Sequence, residues 1–396
     1  MRAVAGGAIA GEARTAPAVS APAGLGEAVL GWRDRLIASP RFQRWAASFP
    51  LTRPIARRQS RVLFDLVAGF VYAQVLAAAI ELDLLTVLAE RPRGTGELAA
   101  RLELGEAGTL TLLRACASLG LVTSRAGGRW GLGLRGAALV GNPAVGAMIA
   151  HHAMLYADLA DPVALLRGRR EQTRLARYWP YAGAADPTRL GAGQVAGYSG
   201  LMAASQAMIA AEVIAAHDFR RHRVLMDVGG GEGGFVCAVA GRAPSVRVRL
   251  LDLPAVAERA RQRFAAAGLG ARAEAIGADF VAPDSAWPGG ADVITLVRVV
   301  HDHDDAVAMR ILHRARAALP PGGTLLLAEP MAGTPGAEPA GDAYFGFYLL
   351  AMGSGRPRRA EELAAMLRAA GFASVREERV GNRLLVRVLC ARVAAG

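Results

Sequence analysis

Apolar positions recur at helical spacing from residue 34 to residue 80, then in shorter runs at 84–89, 95–101 and 108–119. Gly120 follows the last run, where a glycine commonly ends a helix. Two strand-like runs, 121–123 and 129–132, flank Gly127-Gly128 and predict a hairpin. Helices followed by a small hairpin make a winged-helix-like arrangement, which serves either DNA binding or dimerisation. Residues 143–220 are helical again and carry Met148, Tyr156, Trp179, Tyr198, Met202 and Met208. Singly each reads as core; together they can wall a substrate pocket.

From about residue 223 short apolar runs alternate with helical stretches. Strands are predicted at 224–228, 246–251, 273–276, 293–299 and 325–328, and helices at 234–240, 256–267, 304–318 and 360–370. This alternation predicts an α/β domain with a parallel, doubly wound sheet. The end differs: runs at 375–380 and 384–391 joined by Gly381-Asn382 predict a terminal antiparallel hairpin. The expected organisation is a disordered tail at 1–30, a helical domain at 31–142, a helical connector lining the substrate pocket at 143–220 and the sheet domain at 221–396.

Composition sharpens this picture. With 53% hydrophobic residues in 396, the chain can bury large cores. Its three cysteines, Cys116, Cys237 and Cys390, lack a CxxC pair and argue against a disulfide framework or a zinc site. All basic residues are arginine, so the net charge of +12 reads as compositional bias and not as nucleic-acid affinity. Its distribution is more telling: residues 1–60 hold nine arginines against three acids, beside Trp32, Phe42, Trp45 and Phe49. Such a segment suits either an anionic membrane surface or a partner subunit. No leader is expected, since the first 25 residues lack a continuous apolar run. The apolar stretch 62–80 contains Asp65 and Gln74 and is read as a buried helix at a dimer interface, not as a membrane span. A cytoplasmic location follows, peripheral on the inner membrane if the basic start binds lipid.

The densest chemistry begins at Asp227-Val228-Gly229-Gly230-Gly231-Glu232-Gly233-Gly234, between a strand and a helix. Gly229, Gly231 and Gly234 also fit the dinucleotide fingerprint, so the loop alone leaves the ligand open. Asp252 ends the second strand, where its carboxylate can accept both ribose hydroxyls of a nucleoside. Asp279-Phe280 past the third strand favours a methyl donor: the carboxylate can accept from an adenine amino group and the ring can pack on its face. Asp227 can help hold the donor's amino-acid end, a place a pyrophosphate would avoid because like charges repel. His301 lies past the fourth strand, at the sheet edge where ligands bind, and an imidazole there can take a proton from a hydroxyl. Glu329 ends the fifth strand and can orient His301 and favour its charged form. The run His301-Asp302-His303-Asp304 could also hold a metal, but the side chains alternate when extended, so no metal is expected. Asp304 fits the N-cap of the next helix.

Taken in order, DVGGGEG, LLDLP, ADF, HDHDD and LLLAEP resemble the small-molecule S-adenosylmethionine-dependent O-methyltransferases over about residues 60–392. The late segment Arg358-Arg359-Ala360-Glu361-Glu362-Leu363 with Ala370-Gly371-Phe372 fits as well. The resemblance implies a class I Rossmann-like sheet, a winged-helix-like domain used for homodimerisation, His301 as base and Glu329 as its flanking carboxylate. It implies donor contacts from Gly229, Asp252, Leu253, Asp279, Phe280 and Arg298. The chain departs from the family's pattern at His303, Ala278 and Arg298, where Trp, Gly and Lys are usual, so Arg298 is expected to contribute mainly backbone contacts. The start from Trp32 to Arg58 and the helix FDLVAGFVYAQVL resemble most the bacterial branch acting on hydroxylated carotenoids, with bacteriochlorophyllide and phenol methyltransferases as alternatives. A carotenoid acceptor implies an apolar tunnel, for which Met148, Tyr156, Tyr198, Met202, Tyr344, Phe345, Tyr348 and Met352 are candidates. Rivals of other classes are a winged-helix DNA-binding regulator and an NAD-dependent oxidoreductase; the helix at 109–119 holds only Arg114, too little charge for DNA.

Overall fold

The computed structural model describes residues 25–169, 173–179, 187–189, 202, 206–283, 285 and 287–396. Tyr198 lies outside them. The backbone falls into two compact units that divide between Gln74 and Val75.

The first unit holds α1 (Leu25–Ala38), α2 (Pro40–Ser48) and the greater part of α3 (Arg53–Glu81). Along α2, Phe42 and Trp45 share one face with the C-cap residue Phe49, with ring centroids 5.6 and 5.0 Å apart. The Thr52 hydroxyl donates to the Ala46 carbonyl at 2.8 Å and fixes the turn between α2 and α3. The predicted helix over 62–80 forms, but its first part is not buried: Leu66 is 79% exposed and Phe70 72%. Periodicity reveals that a face is apolar, not what covers it, and this chain alone gives Val62–Val71 no cover among the described residues.

In the second unit the end of α3 packs with α4 (Leu84–Glu90), α5 (Thr95–Arg101) and α6 (Glu106–Ser118) around Ala79, Leu84, Leu88, Leu98 and Leu113. Gly120, at φ 71°, ends this run as expected. Strands β1 (Arg93–Gly94), β2 (Val122–Arg125) and β3 (Arg129–Leu132) form an antiparallel sheet in the order β1-β3-β2. Four further helices follow, α7 (Leu134–Val140), α8 (Pro143–Asp158), α9 (Pro162–Leu166) and α10 (Arg174–Tyr178), and then α11 (Gln206–Ala216).

The large sheet has strands β4 (Val224–Val228), β5 (Arg247–Asp252), β6 (Ala273–Gly277), β7 (Val293–Val297), β8 (Thr324–Glu329), β9 (Ser374–Glu378) and β10 (Arg387–Arg392). Their order is β6-β5-β4-β7-β8-β10-β9. The first five are mutually parallel, while β10 runs antiparallel to β8 and to β9. Every residue of β7 and β8 is buried, as strands covered on both faces require. Helices α12 (Gly234–Arg242) and α13 (Pro254–Ala266) contribute to one apolar layer, α14 (Asp305–Ala318) and α16 (Ala360–Ala369) to the other. Strand order reverses between β4 and β7, so a crevice opens beyond their C-terminal ends. The remaining helix, α15 (Gly346–Met352), leads into Gly355, whose loop backs the β7–α14 connection.

Gly355 has φ 76°, and a Cβ there would stand 2.1 Å from the His301 carbonyl oxygen. Gly355→Ala is therefore expected to cost on the order of 2 kcal/mol or more through clash and backbone strain. Thermal melting should fall and turnover should drop with it; an unchanged melting point and rate would show that this loop does not set the position of His301.

Candidate active site

Where β4 ends, Gly229, Gly231 and Gly233 take φ values of 69°, 59° and 79°. A Cβ on Gly233 would lie 2.5 Å from Phe264, and one on Gly229 2.7 Å from Val299. The dinucleotide-type spacing groups Gly234 with the first two, whereas the third left-handed glycine of the loop is Gly233. At Gly231 a Cβ would meet nothing within 4 Å, so the loop is open there. A cavity of about 430 Å³ begins at this point, and Gly229, Gly231, Asp252, Leu253, Asp279, Phe280 and Arg298 all line it.

Asp227, the eighth expected donor contact, lies beneath the loop and not in the cavity wall. Thr295 donates to its Oδ1 at 2.6 Å, and its Oδ2 is buried without a partner. Burial pushes its carboxyl up to about 7, the Thr295 hydrogen bond opposes the shift, and the nearby Asp252 charge adds to it. Asp252 accepts from the Gly231 N–H at 2.8 Å and the Leu253 N–H at 2.7 Å. Burial raises it to about 6 against those two bonds, leaving it mostly ionised at neutral pH. Asp279 closes a local turn by accepting from the Val281 N–H at 2.8 Å. The Phe280 ring meets His303 edge-on at 6.2 Å, so His301 and His303 face different neighbours. Arg298 holds φ 58°, a left-handed conformation costly for a non-glycine residue, while its N–H donates to the Ala328 carbonyl at 2.8 Å.

His301 stands in the middle of the β7–α14 connection and is 6% exposed. Its Nδ1 pairs with Glu329 Oε2, and its Nε2 lies 3.1 Å from Asp302 Oδ1. The other oxygen of Glu329 accepts from the N–H groups of Val299 at 3.1 Å and Val300 at 2.7 Å. Burial disfavours the imidazolium, but the Asp302 and Glu329 carboxylates outweigh it and push His301 up to about 10. Asp302 lines the cavity; His301 stands just behind it. Asp304 occupies the N-cap of α14, yet its carboxylate accepts from the Gly355 N–H at 3.0 Å instead of capping the helix.

Arg358 is a positioning residue that motif reading did not single out. Its guanidinium is buried and donates to the carbonyls of Val300 at 2.9 Å and His303 at 2.7 Å and to Asp305 at 2.7 Å. The loop holding His301 is thus clamped from a residue far along the chain. The only sequence signal was an arginine opening a motif before a helix.

Of the expected tunnel residues, Met202 lines the cavity beside Trp179. Tyr348 and Met352 are buried in an apolar cluster with Leu253 and Val256, against which Met148 and Tyr344 pack. Phe345 meets His301 edge-on at 5.9 Å, and Tyr344 meets Phe345 at 5.1 Å. Tyr156 approaches the ring of His152 at 6.2 Å. This wall is more polar than the sequence suggested. His151 Nε2 lies 2.8 Å from the Tyr348 hydroxyl, which accepts from the Trp179 indole N–H at 2.9 Å, and His152 Nε2 lies 2.7 Å from the Tyr344 hydroxyl. Burial, aided by His152, lowers His151 to about 4, so its ring is neutral.

An O-methyltransferase domain family matches residues 156–373, and the O-methyltransferase dimerisation domain matches residues 64–141. Demethylspheroidene O-methyltransferase of Cereibacter sphaeroides is 45% identical over 359 residues, which cover 89% of this chain and 92% of that protein. The enzyme of the same name from Rhodobacter capsulatus is 41% identical over 90% of this chain and 88% of its own length. Among solved structures, a methyltransferase in calicheamicin biosynthesis in its SAH-bound form superposes with a TM-score of 0.70 at 26% identity, covering 85% of this chain and 98% of that one. A glycine loop above a buried carboxylate, a histidine just behind the wall of the same crevice and these matches agree: the chain belongs to the S-adenosylmethionine-dependent O-methyltransferases and carries their dimerisation domain.

Proposed function

We propose that the chain methylates the tertiary hydroxyl of a hydroxylated carotenoid of the demethylspheroidene type, with His301 as general base. The observation that carries the base assignment is the His301 ring fixed between Glu329 and Asp302, directly behind the cavity wall. The acceptor class rests on the two demethylspheroidene enzymes at 45% and 41% identity. Bound S-adenosylmethionine supplies an electrophilic methyl group on a sulfonium. The residues suit it: Gly231 leaves space where a side chain would stand, and Asp252 offers an ionised carboxylate to ribose hydroxyls. Asp279 and Phe280 would take the adenine, and Gly229, Leu253 and Arg298 complete the wall.

A tertiary alcohol is a poor acid, so its proton leaves as the methyl group arrives, and no free alkoxide precedes transfer. His301 Nε2 receives that proton, which requires its contact with Asp302 to open. Glu329 holds Nδ1 and thereby the ring orientation, and stabilises the imidazolium that forms. A cation in the cavity makes His301 easier to deprotonate beforehand, because like charges repel. Much of the rate comes from holding two reactants in line.

The acceptor is a membrane lipid in character, and the first unit fits a peripheral role. Arg41, Arg44, Arg53, Arg57, Arg58 and Arg61 accompany exposed Trp32, Trp45 and Phe49. We read this unit as lying on the anionic cytoplasmic face of the membrane, with homodimerisation through the adjoining domain.

Four measurements test these readings. With labelled donor and a panel of hydroxylated carotenoids, chlorophyllides and phenols, the carotenoids should be methylated fastest; preference for another class would overturn the acceptor assignment. His301→Ala should lower kcat at least a hundredfold with S-adenosylhomocysteine affinity nearly intact, while Asp252→Ala should weaken that affinity first. Because only the neutral imidazole accepts a proton, kcat/KM should climb from pH 7 to about 10. Asp302→Asn removes one of the carboxylates that raise His301, so the ascending limb should move to lower pH; a limb that stays in place would exclude His301 as its origin. Finally, the protein should sediment with vesicles containing phosphatidylglycerol, not with pure phosphatidylcholine, and salt should release it. Equal recovery in both supernatants would remove the membrane contact.

A further inference from the structure

At the end of the large sheet remote from the glycine loop, a second group of ionisable side chains converges. His217 follows α11, His222 precedes β4, Asp292 precedes β7, and Glu378 and Cys390 lie on the terminal hairpin. In the β9–β10 register Val388 pairs with Glu378 and Cys390 with Arg376, so Glu378 and Cys390 share a sheet face. A ring nitrogen of His217, a carboxylate oxygen of Glu378 and the sulfur of Cys390 all lie within 4.8 Å of one another. His217 Nδ1 stands 3.7 Å from Glu378 Oε1. On its other side His217 Nε2 is 2.9 Å from His222 Nε2, and His222 Nδ1 is 3.4 Å from Asp292 Oδ2.

This row reads carboxylate, imidazole, imidazole, carboxylate. It has three contacts, each needing one positive bridge, and two neutral imidazoles supply only two protons. One of the three contacts is therefore left without a bridging proton. The widest of the three, between His217 and Glu378, is also the one flanked by a thiol. We propose that His217 Nδ1, Glu378 and Cys390 bind a divalent transition-metal ion of the zinc type, with His222 and Asp292 as supporting partners.

The ion satisfies the whole row. With the metal on Nδ1, His217 donates its Nε2–H to His222 Nε2, and His222 donates its Nδ1–H to Asp292. A ligating histidine commonly has its far nitrogen anchored in this way. One imidazole, one thiolate and one carboxylate form a donor set suited to zinc or cobalt. Bonds of about 2.0–2.3 Å put tetrahedral ligand atoms roughly 3.3–3.8 Å apart, so the three side chains close in by modest movements. A cavity of about 480 Å³ walled by His217, His222, Asp292 and Glu378 gives the ion an entry path and a water for the fourth position. Arg376 donates to Glu378 Oε1 at 2.7 Å, but its side chain is 61% exposed and can swing away, and Oε2 remains for the metal. Binding releases the Cys390 thiol proton to solvent, and thiolate and carboxylate together balance the two positive charges. The consequence is structural: the ion ties the terminal hairpin to the end of α11.

The test uses the full chain, purified without a metal-binding tag, stripped with chelator and titrated with cobalt(II). One equivalent per chain should bind with a near-ultraviolet thiolate-to-cobalt band, and melting should rise on loading. Cys390→Ser should abolish that band, whereas Cys116→Ser and Cys237→Ser should keep it. Should Cys390→Ser fail to fold, the partly exposed and isosteric Glu378→Gln stands in, and it should weaken cobalt binding at least tenfold. Absence of stoichiometric uptake by the folded wild type, a band that survives Cys390→Ser, or unchanged affinity in Glu378→Gln would each overturn the proposal.

Discussion

The Glu329 carboxylate, buried at the end of β8, is the contact on which the active-site edge depends. One oxygen receives two successive backbone N–H groups of the β7–α14 connection, and the other holds the His301 ring. A buried carboxylate is tolerable only when hydrogen-bonded and paired, so its position is set by all three donors at once. The loop and the imidazole are therefore located by the same group, and moving either leaves a charge unpartnered inside the protein.

The rest of the site is arranged to tolerate that commitment. Arg358 offers several donors to the carbonyls that the connection turns inward, so the segment carrying His301 is held from both sides. Gly355 lets the α15–α16 loop press against the His301 backbone where no side chain would fit. Across the crevice, Asp252 does for the glycine loop what Glu329 does for the histidine, receiving Gly231 N–H while keeping its charge toward the cavity. Two strand-end carboxylates thus define the two sides of the reaction space. Around it, Trp179 and His151 meet at the Tyr348 hydroxyl, which ties the polar atoms of an otherwise apolar wall together.

The first unit follows different physics. Among its described apolar residues, Leu66 and Phe70 remain largely exposed. Exposed apolar area of this extent marks a surface made to be covered from outside, and the match to a dimerisation domain beginning at residue 64 supplies one such cover. The aromatic face of α2, ringed by arginines, is a separate surface with a different chemistry.

The sequence by itself determined the sheet domain and its active edge. Strand and helix alternation, the glycine run and the strand-end residues Asp252, Asp279, His301 and Glu329 are local patterns, and local periodicity reports local backbone. The terminal hairpin was legible for the same reason, though its first strand, Ser374–Glu378, begins and ends earlier than predicted and its second, Arg387–Arg392, later. What only the tertiary structure decided are relations between distant residues. Arg358 clamps a loop more than fifty residues earlier, Asp227 supports the glycine loop instead of lining the cavity, and His151 and His152 meet the tyrosines of α15 and the segment before it. The same holds for His217 with Glu378 and Cys390, which composition gave no reason to group. Such contacts depend on how strands order themselves in the sheet, and that order is set by burial over the whole domain, which no window of sequence contains.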